Sequence, residues 1–150
     1  MRHAIHAFKY QGLATLADPL GDALASFWLA APAPARAIAP VPLHPQRQRE
    51  RGYNQAELLA RRVGRKADLP VYPGVLQRVR ATAVQMTLGA EERRANVAGA
   101  FRCSTDALRG AAVLLIDDVC TTGATLDACA IALKEGGVTA VYGLVLARTA

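Results

Sequence analysis

Serine is almost missing from this chain: Ser26 and Ser104 are its only two. Neither sits in a G-x-S-x-G turn, so hydrolysis through a serine nucleophile has no candidate. Cysteine is scarce too. Cys103, Cys120 and Cys129 form no C-x-x-C pair and, being three, cannot close a complete disulfide set. A structural zinc site made by this chain alone is not expected. The glycine-rich loops G-x-x-x-x-G-K-[ST] and G-x-G-x-x-G are both absent, which removes two common nucleotide cradles. No apolar run reaches the roughly 18 residues that a membrane-spanning helix needs. His3, His6 and Lys9 interrupt any signal-peptide pattern, so a cytoplasmic location is the expectation.

Alanine and arginine are what the chain holds in quantity. Alanine supplies 31 residues, so the 52% apolar content overstates the core, because alanine favours helix but brings little area. The length suits one domain, and 1–150 is read as a single one. Arginine makes up 15 of the 18 basic residues. From Arg36 to Arg102, 13 Lys/Arg stand against 5 Asp/Glu, whereas the rest of the chain has 5 against 7. A basic middle suits a phosphate-rich small molecule or nucleic acid, and the guanidinium fork matches phosphate. Aromatics for base stacking are few in that stretch, namely Tyr53, Tyr72 and Phe101, so support for nucleic acid is thin.

Periodicity predicts a short helix over Ile5–Tyr10 and an amphipathic one over Leu16–Leu29, with Leu20, Leu24, Phe27 and Trp28 on one side. Arg36–Val41 reads as a strand stopped by Pro40-Val41-Pro42, followed by an arginine-rich loop. Asn54 and Glu57 form a capping-box pattern opening a helix that ends near Lys66. Val71–Leu76 is a second predicted strand, and Arg78–Phe101 a long loop or small subdomain. Val113–Ile116 has the continuous apolar run of a central parallel strand. A helix over Thr125–Glu135 stops at Gly136-Gly137, and Val141–Leu146 is the last strand. Alternating strands and helices predict an α/β fold with a parallel sheet.

The chemistry concentrates in Val113-Leu114-Leu115-Ile116-Asp117-Asp118-Val119-Cys120-Thr121-Thr122-Gly123-Ala124-Thr125. A buried strand leads to two carboxylates, then to a turn of hydroxyls and glycine, then to a helix. Ligands of open α/β sheets sit at the carboxyl ends of strands. Free N–H groups and the hydroxyls of Thr121, Thr122 and Thr125 at a helix N-terminus suit a phosphate, and Gly123 lets the backbone come close. Two adjacent unpaired carboxylates would cost several kcal/mol each in a dry interior, so both are expected to face solvent, a cation or ligand hydroxyls.

This segment resembles the signature by which type I phosphoribosyltransferases bind 5-phosphoribosyl-1-pyrophosphate (PRPP). The resemblance implies that Asp117 and Asp118 hold the ribose hydroxyls and act catalytically. It implies that Thr121, Thr122, Gly123, Ala124 and Thr125 hold the 5′-phosphate. Upstream, Pro42-Leu43-His44-Pro45, Arg51-Gly52-Tyr53-Asn54-Gln55 and Leu58-Leu59-Ala60 resemble the ComF competence family. So does Leu76-x-Arg78-x-Arg80-x-Thr82-x-x-Gln85, followed by Arg93-x-x-Asn96. The likeness runs from about Phe8 to the C-terminus.

The family implies a type I phosphoribosyltransferase-like fold, a parallel sheet flanked by helices under a small hood, and a link to DNA uptake. Arg47 and Arg51 would contact the pyrophosphate, while Arg78, Gln85, Arg93 and Asn96 would lie in the hood or lid, 78–101. Mg²⁺ would arrive with PRPP, with no direct protein ligands. The acceptor is not named by any residue, and oligomeric assembly is left open. The rival expectation is an accessory protein that binds single-stranded DNA and has no transferase reaction. One departure stands out. Members usually begin with a four-cysteine zinc ribbon, and this chain has none, which leaves a lost ribbon or a truncated reading frame.

Overall fold

The computed structural model describes residues 3, 4, 6, 7, 14–82 and 89–149. The helix expected over Ile5–Tyr10 falls largely outside them, although residues 6 and 7 are helical. A 3₁₀ turn at Ala14–Leu16 runs into helix α1, Ala17–Ala30. Strand β1, Ala37–Pro40, follows the Ala/Pro connector. Helix α2 is Pro45–Arg51 and α3 is Gln55–Ala67. Strand β2, Leu76–Arg78, helix α4, Ala90–Val97, and strand β3, Phe101–Cys103, come next. Strand β4, Ala112–Cys120, helix α5, Ala124–Glu135, and strand β5, Ala140–Arg148, complete the order.

β1, β4 and β5 form a parallel sheet with β4 in the middle, while β2 and β3 pair antiparallel as a separate two-stranded unit. The architecture is α/β with helices on both faces, as the sequence predicts, and is compatible with the expected phosphoribosyltransferase-like plan. β4 is central because it is apolar on both faces. Its side chains alternate. Val113 and Leu115 enter one core with Leu133 and Cys129 of α5, Leu76 of β2 and Phe101 of β3. Leu114 and Ile116 enter the other, with Leu20, Leu24 and Trp28 of α1 and Leu59 and Val63 of α3.

Four expectations need correction, the last at the Asn54 cap. The strand predicted over Val71–Leu76 is split. Only Val71 bridges to Ile38, Pro73 and Gly74 then make a turn, and the chain resumes as β2 in the other unit. Proline has no N–H to continue the ladder. Second, the arginine loop is largely helical. Pro45 opens α2, the His44 side chain accepts from the Gln46 N–H at 3.3 Å, and Gly52 closes it with φ 81°. Third, Phe27 faces away from the α1 core and is 75% exposed.

The Asn54 cap is real but no capping box forms. Asn54 Oδ1 accepts from the Ala56 N–H at 3.0 Å, while its Nδ2 donates to the Val41 carbonyl at 3.0 Å. Glu57 turns instead to Arg61, at 2.8 Å. Asn54 thereby fastens the start of α3 to the end of β1. Gly64 allows α3 to lie close to the chain after it, since a Cβ there would meet Val71 Cγ2 at 2.6 Å. Among the described residues no helix is long and apolar enough to cross a membrane.

Candidate functional site

β4 runs further than its apolar core, so Asp117 and Asp118 are strand residues rather than the start of a loop. Strand alternation separates them. Asp117 follows Val113 and Leu115 toward α5 and the β2–β3 unit. Asp118 follows Leu114 and Ile116 toward α1 and α3, where it is only 7% exposed. The expectation that both carboxylates face outward therefore fits Asp117 better than Asp118. Asp117 also accepts the Asp118 N–H through Oδ1 at 2.8 Å, which fixes the carboxylate against its own backbone.

Past Cys120 the chain turns sharply. Gly123 has φ 87°, a left-handed conformation that glycine adopts without strain, and it caps α5. Thr122 Oγ1 accepts the Ala124 N–H at 3.3 Å, so this hydroxyl serves its own turn. Asp117, Thr121, Gly123, Ala124 and Thr125 line one open recess of about 20 Å³, with Val119, Cys120 and Leu126. That volume holds about one water. A phosphate would rest against the turn rather than be enclosed. α5 carries the N-terminal partial positive charge toward this recess.

The predicted arginines fall in different places. Arg47 on α2 and Arg78 on β2 line a second cavity of about 220 Å³, together with His44, Gln46, Glu50, Ala81 and Thr82. Arg51 Nη1 donates to Gln55 Oε1 at 3.2 Å, and Arg51 is not among the lining residues. Arg78, expected in the hood or lid, ends strand β2 of the two-stranded unit, with its guanidinium over the Phe101 ring, 5.3 Å from the centroid. Burial lowers its proton affinity first, and the nearby Arg47 charge lowers it further, while Cys129 and Asp117 act in the opposite sense. Arg78 thus lies within electrostatic reach of both Arg47 and Asp117. Burial also pushes the Cys129 thiol well above its usual range, consistent with a core role.

Arg93 and Asn96 lie on α4, and Gln85 is outside the described residues. Arg80, in no predicted role, donates to the Asn96 and Ala98 carbonyls at 3.0 and 2.6 Å and so closes the end of α4. Gln55 was missed as well. It is 2% exposed and its Nε2 has no acceptor among the described residues.

Among the described residues no three His, Cys, Asp or Glu side chains gather to hold a metal ion. Magnesium commonly keeps its waters and binds through one or two carboxylates plus substrate phosphates. Asp117 at the recess fits that limited demand.

A parallel α/β layer with an acid and a hydroxyl turn at the carboxyl end of its central strand defines an α/β domain of the open-sheet class, whose members bind ligands at that edge. No protein-family model matches the chain. It is 41% identical over 114 residues to Competence protein F of Haemophilus influenzae, covering 75% of this chain and 50% of that one. It is 37% identical over 112 residues to the DNA utilization protein YhgH of Escherichia coli K12, covering 75% and 49%. Competence protein ComFC of Bacillus subtilis is 30% identical over 138 residues, covering 91% and 55%. The chain belongs to the ComF family of competence proteins. It spans about half the length of these relatives.

Proposed function

We propose that the chain binds PRPP at the β4–α5 turn and transfers its phosphoribosyl group to a nitrogenous acceptor, in support of DNA uptake or use. The observation that carries this is the convergence of Asp117, Thr121, Gly123 and Thr125 on one recess at the end of the central strand. In this scheme the Thr121–Thr125 turn holds the 5′-phosphate with N–H groups and hydroxyls. Asp117 accepts hydrogen bonds from the ribose diol, and Asp118 braces the strand end from the opposite face. The acceptor nitrogen donates its lone pair to C1′ as the C1′–O bond to pyrophosphate breaks. Positive charge would grow on the sugar ring, which Asp117 would offset, and negative charge on the leaving group, which Arg47 would offset. Mg²⁺, when bound with PRPP, would supply charge neutralisation at the pyrophosphate.

The test is calorimetric titration of Mg-PRPP into the wild type and the Asp117→Asn/Asp118→Asn double variant. The expected result is binding to the wild type that weakens at least tenfold in the variant. Equal heats in both would remove the proposal.

A second possibility has its own support, since relatives are named for competence and DNA utilization. The chain would then bind single-stranded DNA through its basic middle without transferring a sugar. Part of that charge is already engaged: Arg62, Arg65 and Lys66 of α3 pair with Asp18 and Asp22, and Arg61 pairs with Glu57. Backbone-driven DNA binding would weaken steeply with salt, and absence of any shift at low salt would exclude it.

A further inference from the structure

Arg80 lines neither the recess at the β4–α5 turn nor the cavity beside Arg47. Its guanidinium turns instead to backbone, where Nη2 donates to the carbonyls of Asn96 and Ala98. Those partners stand 16 and 18 residues further along the chain. One residue before Arg80, the Val79 N–H donates to the Ala100 carbonyl at 2.8 Å. That bond carries the β2–β3 pairing one position past Arg78 and Phe101. Backbone and side chain together close a neck, with Ala81 and Thr82 on the leaving side and α4 on the returning side.

The returning side brings little apolar surface of its own, since α4 buries only Val97. Its start is capped from within, where Glu92 Oε2 accepts the Gly89 N–H at 2.8 Å. The last carbonyls of a helix have no partner inside it, and a cation there meets the negative end of the helix dipole. Arg80 supplies donor and charge from outside the helix. On the leaving side, Ala81 and Thr82 line the cavity beside Arg47, and Thr82 accepts from Arg78. Tying a neck removes freedom from all the chain between its ends. Arg80 therefore sets the places of Thr82 and α4 together.

We propose that Arg80 is a positioning residue, a clamp across this neck that holds α4 and Thr82 against the cavity wall formed by α2 and β2. It touches no ligand and acts through the chain that it ties. For the ligand whose binding it supports, the inference rests on the phosphoribosyl reading. An eight-residue helix is marginal alone, so the ordered fraction of α4 responds to the loss of one charged cap. Affinity falls in proportion to the fraction of molecules in the binding-competent arrangement. A simple helix cap would change local order only, whereas a clamp changes affinity at a distance as well.

The test compares the full chain with Arg80→Met, which removes the donors and keeps the length, and Arg80→Lys, which keeps a charged donor. Each is followed by thermal melting, by amide hydrogen exchange of residues 89–98 and of α5, and by calorimetric titration of Mg-PRPP. Arg80 is exposed, so Arg80→Met should melt near wild type. Its exchange over 89–98 should rise about threefold while α5 stays unchanged, and Mg-PRPP should bind more weakly by a similar factor. Arg80→Lys should recover most of both effects. Faster exchange with wild-type affinity in Arg80→Met makes Arg80 a cap only and overturns the positioning role. Unchanged exchange overturns the clamp itself. Faster exchange throughout the chain, with a lowered melting temperature, overturns it too, because that marks a residue needed by the whole fold. If the wild type does not bind Mg-PRPP, the phosphoribosyl reading falls, while a rise confined to 89–98 that lysine reverses still sustains the clamp.

Discussion

At the scale of single residues, Asn54 joins more of the molecule than its exposure suggests. Its Oδ1 satisfies a helix N–H and its Nδ2 satisfies the carbonyl of Val41, just beyond β1. Because it is 7% exposed, neither group has water as a ready substitute. Asn54→Ala should cost about 1–3 kcal/mol, the sum of a lost cap and a stranded carbonyl. Asn54→Asp keeps the acceptor and should recover part of the loss, but it brings a charge into a buried position. Urea midpoints of the two variants against wild type check this. The order wild type, Asp, Ala is expected, and an alanine variant as stable as wild type would show that the cap contributes nothing.

At the scale of elements, α1 and α3 are held together by charge as well as by Leu20, Leu24, Leu59 and Val63. Arg62 Nε and Nη2 grip the two oxygens of Asp22 at 2.7 and 2.8 Å. The hydrogen bond to Arg62 is the main reason that the Asp22 carboxyl lies below its usual range. A carboxylate with a lowered folded-state pKa adds stability above its unfolded value, about 3.9, and loses it as pH falls through the folded value. Asp22→Asn should therefore lower the melting temperature slightly at pH 7 and leave it closer to wild type below pH 3. High salt should shrink the difference, because both groups are exposed enough to be screened. An equal deficit at both pH values would assign the effect to packing.

The same scale explains what could be read in advance. β4 and α5 were legible because a two-sided apolar strand, a Thr/Gly turn and a double-glycine stop occur within 25 consecutive positions, 113–137. The recess at their junction is local in sequence, so its residues came with it. α2 was not legible as a helix, since Pro-Gln-Arg-Gln-Arg-Glu-Arg has no apolar residue to set a period; only Pro45 and Gly52 marked its ends. α4 likewise buries only Val97. β2 and β3 have three residues each and pair across a long interval of chain. The meeting of Arg47 with Arg78 depends on those pairings, and no local pattern encodes it. The opposite faces of Asp117 and Asp118 follow from strand alternation once β4 is known to extend to Cys120.

At the scale of the whole molecule, two cores share one sheet. The first joins α5 to the β2–β3 unit, and the second joins α1 to α3. β4 belongs to both through alternate residues, so neither core can be lost while the strand stays buried on two sides. The consequence is cooperative unfolding of the two faces. Trp28, the single tryptophan, is 8% exposed in the α1–α3 core and reports that face. Far-UV circular dichroism reports helices on both. Their urea midpoints should coincide in the wild type. Leu115→Ala removes a fully buried side chain from the other core and should cost about 2–5 kcal/mol. Tryptophan fluorescence should register that loss in full, although Leu115 and Trp28 lie on opposite faces. If Leu115→Ala shifts the dichroism midpoint and leaves the fluorescence midpoint in place, the two cores are independent. The central strand would then not couple the α5 side to the α1–α3 side.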